Sequence, residues 1–542
     1  MLIHTLTLSA SVTDDTTTIN LTDDYRNNRT TYMTTTNQKT TNMKKITLIM
    51  IMAITTSHLA LGTQWHVGPT QAYTLPSQVK LLVADGDTIN IDGGIYSNDA
   101  VKWVKKNLKF FGLGTGSNRT ILQNIGDIAN GKGIWVFELP GISDNPYIEN
   151  IVFDGAQISD VDGGNGAGIR YQSKDLTIKN CKFMNCQNGI LEGHGSVTDS
   201  NVILDGNEFS NNGYAGTTSS YIGYEHHIYI SSSVDTLWVK NNYFHDPRGQ
   251  ANSLKTRAQR SWILNNYIDE AAGDGSYELN IAQGGLCIVM GNVIIQGTSG
   301  SNHGVCDIDA ATNPINELYF INNTVINKYV GNIRFFTNNP TTGMTVLKFR
   351  NNVFASTVGA SNTWFNGTLT VLDTANNRYM NDYTTVGFTN STAGDYSLTS
   401  SAASLINNGT NVAPASNGYS LTPLFMYANF SSSLIPRTTT GGAIDIGAYE
   451  YGSTPTGIKT EVENNTVVLY PNPSSGEINL TNLNDFGNCS IAIYDILGKQ
   501  VYHSALVTTD KVAISTKDFK SGVYMITIYN KDKKITKKIV VD

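Results

Sequence analysis

The sequence predicts an all-β chain: a right-handed parallel β-helix followed by a small C-terminal β-sandwich domain. Three observations predict it. A short unit recurs through the middle of the chain: an apolar strand, Asn or Gly, then Asn or Cys, one variable residue and a large apolar residue. The composition, 40% hydrophobic with only 15% charged residues and 50 Gly, suits many short strands and turns better than charged helices. The last stretch of the chain alternates apolar and polar residues between turns, as a small sandwich does.

The repeat reads Asn180-Cys181-Lys182-Phe183, Gly206-Asn207-Glu208-Phe209, Asn241-Asn242-Tyr243-Phe244 and Asn265-Asn266-Tyr267-Ile268. It continues as Gly291-Asn292-Val293-Ile294, Asn322-Asn323-Thr324-Val325 and Asn351-Asn352-Val353-Phe354. Intervals of roughly 24 to 35 residues lie in the solenoid range. Leu237-Trp238-Val239-Lys240 and Trp262-Ile263-Leu264 have strand character, not helical spacing. Asn suits the turn that follows because it tolerates left-handed backbone, and stacked Asn side chains can bond from coil to coil. No coil buries its own face, so stacking supplies the core.

With 542 residues, the chain needs more than one unit. Residues 1–42 are rich in Thr, Asn and Asp and read as a disordered or untranslated extension. Met43-Lys44-Lys45, the apolar Ile46 to Ala53 and the small residues Ala60-Leu61-Gly62 have the pattern of a signal peptide over 43–62. The β-helix is expected over 63–452 and a linker over 453–465. A net charge of −7 gives no reason to expect nucleic acid as a partner. The Lys531 to Lys538 run reads as a solvated strand face.

Residues 466–542 carry Leu469-Tyr470-Pro471-Asn472-Pro473-Ser474-Ser475-Gly476, Ile493-Tyr494-Asp495-Ile496-Leu497-Gly498-Lys499 and the final Lys537-Lys538-Ile539-Val540-Val541. These closely resemble the Por-type (type IX) secretion C-terminal sorting domain. The resemblance implies the type IX machinery as a partner and an extracellular or surface destination. Trp65-His66-Val67-Gly68-Pro69, Asp85-Gly86-Asp87-Thr88-Ile89 and the closing Asp445-Ile446-Gly447-Ala448-Tyr449-Glu450 resemble the ends of bacterial pectate-lyase-like β-helices. That superfamily includes lyases, hydrolases, epimerases and adhesins, so fold alone leaves the reaction open.

Aligning the coils puts Ile169, Ile190, Ile228, Leu254 and Leu279 inward. Strict alternation then predicts two outward rows. One is Gly168, Gly189, His227, Ser253 and Glu278; the other is Arg170, Leu191, Tyr229, Lys255 and Asn280, with Arg257 one step beyond. The stretches Glu225-His226-His227-Ile228-Tyr229, Ser253-Leu254-Lys255-Thr256-Arg257 and Ser276-Tyr277-Glu278-Leu279-Asn280 resemble a recurring β-helix pattern. That pattern has Asn in place of His227, Ser in place of Thr256 and Asp in place of Asn280.

These residue types point to β-elimination on an anionic, uronic-acid glycan. Lys255 would take the C5 proton, Arg257 would neutralise the carboxylate, and Tyr229 or His227 would protonate the departing oxygen. Glu278, Asn280 and Arg170 are the candidate substrate-binding residues. For the charged side chains the competing expectation is a ladder that only stabilises stacking. His226 reads as a turn residue. Calcium, which lyases on this fold sometimes use, has candidate ligands in Asp307 and Asp309, or in Asp274 with Glu278; scattered acids otherwise read as solvated carboxylates. The alternatives are a non-catalytic glycan-binding or adhesion protein, and a hydrolase or epimerase; no cluster of paired acids favours hydrolysis. Cys181/Cys186 and Cys287/Cys306 are expected as buried free thiols before disulfides.

Overall fold

The computed structural model describes residues 6–13, 16–23, 31–36, 62–124, 128–193, 198–214, 222–270, 273–428, 434–453, 467–470, 472, 474–481, 483, 488–495, 500–530 and 534–541. Contacts divide the chain into two units, residues 1–63 and 64–542. In the first unit, Leu6–Thr13, Thr16–Asp23 and Thr31–Thr36 form a three-stranded antiparallel sheet. This differs from the expectation of a structureless extension. Thr is β-branched, and here it alternates with Leu, Ile and Val, a pattern that favours strands. The signal-peptide reading at 43–61 and the linker reading at 454–465 fall outside the described residues.

Residues 64 to 380 of the second unit wind into parallel coils, as the repeat predicts. Each full coil contributes one strand to each of three sheets, which hold 11, 12 and 11 strands. The first sheet runs from Val101–Lys102 through Ala167–Tyr171, His226–Ile230, Asn252–Thr256 and Tyr277–Ile281 to Asn332–Asn338 and beyond. The second contains Val234–Lys240 and Arg260–Leu264, the two strands read from the sequence. The third contains Lys182–Met184, Glu208–Ser210, Tyr243–His245 and Tyr267–Asp269.

The interior is built from rows of like residues in register. In the second sheet, Ile178, Leu204, Val239, Ile263, Val289 and Phe320 pair from coil to coil. In the third, the rings of Phe153, Phe183, Phe209 and Phe244 stack with centroids 5.0, 5.1 and 4.9 Å apart. The two Asn positions of the repeat do separate jobs. The first takes positive φ at Asn180, Asn241, Asn265, Asn322 and Asn351 (48 to 61°), with Gly206 and Gly291 in the same place. The second forms a buried ladder through Asn207, Asn242, Asn266, Asn292, Asn323, Asn352 and Asn377. At each step an Oδ1 accepts both the backbone N–H and the Nδ2 of the preceding Asn, so the ladder amides are paired from coil to coil. Cys181 heads the ladder, its N–H donating to Asn207 Oδ1 at 2.9 Å. All five cysteines are free and buried, and burial pushes the Cys181, Cys186 and Cys287 thiols up to about 12.

Residues 381–428 and 434–452 fold back along the coils as a strap. Tyr396, Leu405, Met426, Tyr427 and Ile446 pack on Tyr267, Val293, Ile295, Ile326 and Val353, the outer face of the third sheet. Ala415, Leu421 and Tyr419 pack on Trp262, Ile288, Met290, Tyr319 and Ile321, the outer face of the second. The closing motif anchors it. Arg437 Nε donates to Glu450 Oε2 at 3.1 Å, and its other nitrogens donate to the carbonyls of Gly447 and Asp445. Asn322 Nδ2 donates to the Asp445 carbonyl at 2.9 Å.

Beyond residue 467, Val468–Tyr470, Glu477–Thr481 and Val512–Ser515 form one antiparallel sheet. Cys489–Asp495, Gln500–Val507, Gly522–Tyr529 and Lys534–Val541 form another. Ile478, Leu480, Ile491, Ile493, Ile514, Ile526, Ile528 and Ile539 make their common core. The alternation read in the sequence therefore marks real sandwich strands.

Candidate functional site

The register of the first sheet fixes what faces out. Ile169, Ile190, Ile228, Leu254 and Leu279 pair in an unbroken inward row, as aligned from the sequence. Arg170, Leu191, Tyr229, Lys255 and Asn280 form the next row, and Asp307 extends it. This row faces out, with Arg170, Tyr229 and Lys255 half-buried. Two residues on, Arg257 is half-buried and Asp309 exposed on the same face.

The other row predicted to face out does not. The ladder pairs Ala167 with Asn188 and Ile169 with Ile190 but skips Gly168 and Gly189; the same skip recurs at His227/Ser253 and at Glu278/Val305. The backbone bends there in each coil, and the bend turns two successive residues inward, as an interrupted ladder can. A Cβ on Gly168 would lie 2.8 Å from the Phe183 ring, and one on Gly189 3.0 Å from the Phe209 ring. Val305 and Phe335, in the same row, are core residues. His227 is therefore inside, its ring 6.4 Å from Phe209 and 6.2 Å from Phe244, with Nδ1 3.0 Å from Asn212 Nδ2. Burial holds its pKa down at about 3. Glu278 is also inside, and burial, with Glu270 nearby, pushes its carboxyl well above the usual carboxylate range. Neither residue can meet a ligand on the outer face.

The bend brings His226 to that face instead. Its ring stacks on Tyr229 with centroids 5.6 Å apart, and it pairs in register with Asn252. Burial, then Lys255 and Arg257, hold His226 at about 3, so the imidazole is neutral. Reading it as a turn residue missed this. Gly168 and Gly189 hold the same position as His227 in the two preceding coils, but two glycines in the sequence do not by themselves show that the position is pressed against a Phe stack.

Lys255 stands between Tyr229 of the preceding coil and Asn280 of the next. Burial lowers its pKa; Asp309 opposes the shift and Arg257 adds to it. The Arg257 guanidinium lies 5.8 Å from the Tyr229 ring centre. Asn280 Nδ2 donates to Asp309 Oδ2 at 3.0 Å. His226, Tyr229, Lys255, Arg257, Asn280 and Asp309 thus form one polar patch across four successive coils, each about 4.8 Å from the next. Arg170 lies two coils before Tyr229, its pKa lowered by burial against the charges of Glu192, Tyr229 and Glu138.

Of the candidate calcium ligands, Glu278 is inside while Asp307 and Asp309 lie on the outer face. Asp274 Oδ1 accepts from Gly249 N–H at 2.7 Å. Asp307 follows Asn280 in the outward row, and burial pushes its carboxyl up to about 6. Among the described residues, no three acidic, His or Cys side chains converge on one point. Tyr243, Tyr267 and Trp238 belong to the packed layers under the strap and are not open to a sugar; Tyr267 donates its hydroxyl to the Gly394 carbonyl at 2.8 Å.

Neither packed layer under the strap contains a residue of the first sheet. The patch lies on the sheet that the strap leaves aside.

A family model described as "Secretion system C-terminal sorting domain" matches residues 468–542. The chain thus carries a type IX sorting domain and is delivered to the cell surface or the extracellular space. No curated protein matches the chain. Among solved structures, one titled "Crystal structure of pectate lyase Pel9A" is similar, with 14% identity and a TM-score of 0.36 over 72% of this chain and 96% of that one. A likeness so distant carries no chemistry from that enzyme to this chain.

Proposed function

We propose that this secreted β-helix protein is a polysaccharide lyase that cleaves a uronic-acid glycan on the outer face of its first sheet. The observation that carries the reading is Lys255: an outward, half-buried amine whose proton is loosened by burial and by Arg257. The neutral amine takes the C5 proton of a bound uronate. The electron pair left on C5 moves into the carboxylate, whose added charge Arg257 offsets, and returns to form the C4–C5 double bond as the C4–O bond breaks. The Tyr229 hydroxyl, one coil away, gives its proton to the departing oxygen. Neutral His226 stacks on Tyr229 and orients it. Asn280, held by Asp309, and Arg170 further along the face contact flanking sugars.

Purified protein on a panel of uronans should release products with the ultraviolet absorbance of a C4–C5 unsaturated uronate. Lys255→Ala should lower that rate by about 10² to 10⁴-fold while glycan binding and melting temperature stay close to wild type. Binding without turnover by the wild type would favour the adhesion reading. An unchanged rate in Lys255→Ala would remove Lys255 from the mechanism.

A further inference from the structure

The third sheet carries a charge cluster that the proposed reaction does not use. Lys182, Glu208 and Tyr243 follow one another in register, and Met184, Ser210, His245 and Asp269 form the next outward row. Lys182 Nζ donates to Glu208 Oε1 at 2.8 Å, and the same oxygen lies 3.1 Å from His245 Nε2. The other ring nitrogen, Nδ1, lies 2.7 Å from Asp246 Oδ2. Tyr243 stacks on the imidazole with centroids 4.2 Å apart. The contacts join three successive coils. Asp246 takes the left-handed position after the strand, φ 52°, where the two preceding coils have Asn185 and Asn211 at 57° and 52°. Asn and Asp both tolerate that backbone, so the turn alone requires no charge there.

Both ring nitrogens of His245 face carboxylate oxygens. A carboxylate only accepts hydrogen bonds, and a neutral imidazole has one N–H to give. A neutral ring would therefore set a lone pair against one of the two acids. The imidazolium donates to both, and the Tyr243 face beside it favours a cation.

We propose that His245 is a proton-operated clamp: as the imidazolium it ties the Glu208 coil to the turn after its own strand, and on losing its proton it releases Glu208. The shorter contact, to Asp246, keeps the remaining N–H. The turn leads into Asn252–Thr256, the strand that carries Lys255. The clamp is independent of the reaction proposed above.

The surrounding groups favour the charged ring. Glu208 and Asp246 touch it, and Asp269 is its register partner in the next coil. Lys182 is paired with Glu208, and Arg248 lies further along the turn. His227 behind the sheet is neutral, and burial keeps Tyr243 and the strap's Tyr427 neutral as well. Burial works against the charge on His245, but Glu208 and Asp246 outweigh it and hold the ring above the ordinary histidine value. Burial would raise Glu208 too; His245 and Lys182 hold it down at about 2 instead. A base raised in the folded state stabilises it below the unfolded value and loses that contribution as pH rises through the folded one. A lowered acid loses its contribution as pH falls. The clamp is therefore closed from about pH 5 to about pH 6.5 and opens on the alkaline side.

The test is an NMR titration of the full chain labelled at histidine Cε1, with thermal melting alongside. His245 should titrate above 6.5, the ordinary histidine value, while His226 and His227 stay neutral. His245→Gln cannot donate to both acids. It assigns the signal and should melt about 2 °C below wild type at about pH 6, with the gap closing by about pH 9. Glu208→Gln should move the same signal to lower pH, and it assigns that signal even if His245→Gln fails to fold. A His245 midpoint at or below 6.5 would overturn the clamp. So would a signal that Glu208→Gln leaves in place. A melting gap as wide at about pH 9 as at about pH 6 would reduce His245 to a packing contact and overturn it too.

Discussion

The outer faces of the three sheets start from one repeat and end differently. On the second and third sheets, outward aromatics such as Trp262, Tyr319 and Tyr267 lie under the strap and become a second layer of core. On the first sheet the outward rows are Arg170, Tyr229, Lys255, Asn280 and Asp307, with His226 and Arg257 beside them. The difference teaches that an outward aromatic in a solenoid strand does not by itself mark a sugar site. Charge on the uncovered face is the better marker, because a covered face must be apolar or fully paired.

The largest test of this contrast is a pair of aromatic truncations. Trp262 stacks on Trp238 at 4.6 Å and meets Tyr419 at 5.9 Å, so Trp262→Ala should cost about 3–5 kcal/mol in denaturant melts and leave glycan binding alone. Tyr229→Ala should cost under about 1 kcal/mol and impair the reaction. The reverse pattern would show that the faces have been assigned the wrong way round.

Arg437→Ala attacks the strap itself. Its partner Glu450 is fully buried, so breaking the pair should cost about 3–5 kcal/mol. Limited proteolysis should then cut within 381–452 sooner than in wild type, while Lys255 chemistry persists. Protection equal to wild type would mean the strap is held mainly by its apolar contacts.

Asn292→Ala tests the interior common to every sheet. Its Oδ1 accepts from Asn266 N–H and Nδ2, and its Nδ2 donates to the Ile263 carbonyl and Asn323 Oδ1. A loss of about 2–3 kcal/mol is expected from the stranded buried groups. A change under half that size would indicate that water replaces the amide.

The smallest expected effect is on pH. Activity should rise with pH along a limb set by Lys255, below the ordinary lysine value. Arg257 lowers that pKa and Asp309 raises it. Arg257→Ala should therefore move the limb to higher pH and Asp309→Asn to lower pH, each by about one unit or less. Limbs that stay in place would argue against Lys255 as the titrating base.

The sequence alone determined the coil and its interior. The Asn-Asn and Gly-Asn turns, the apolar residue after them and the aligned row from Ile169 to Leu279 are local patterns, repeated often enough to fix register; positive φ at Asn241 and the ladder through Asn292 follow from side-chain chemistry a few atoms away. It also determined the sorting domain, whose strands alternate without help from the rest of the chain. Only the tertiary structure decided which His faces out, because the bend at His227 depends on the Phe stack of another sheet filling the space beside it. Only it decided that Glu278 goes inside, in the row that Val305 continues in the core of the next coil. And only it decided which faces are covered, since the strap packs residues near 440 against residues near 320, a contact of sequence separation 123 at Asn322 and Asp445 that no local periodicity encodes.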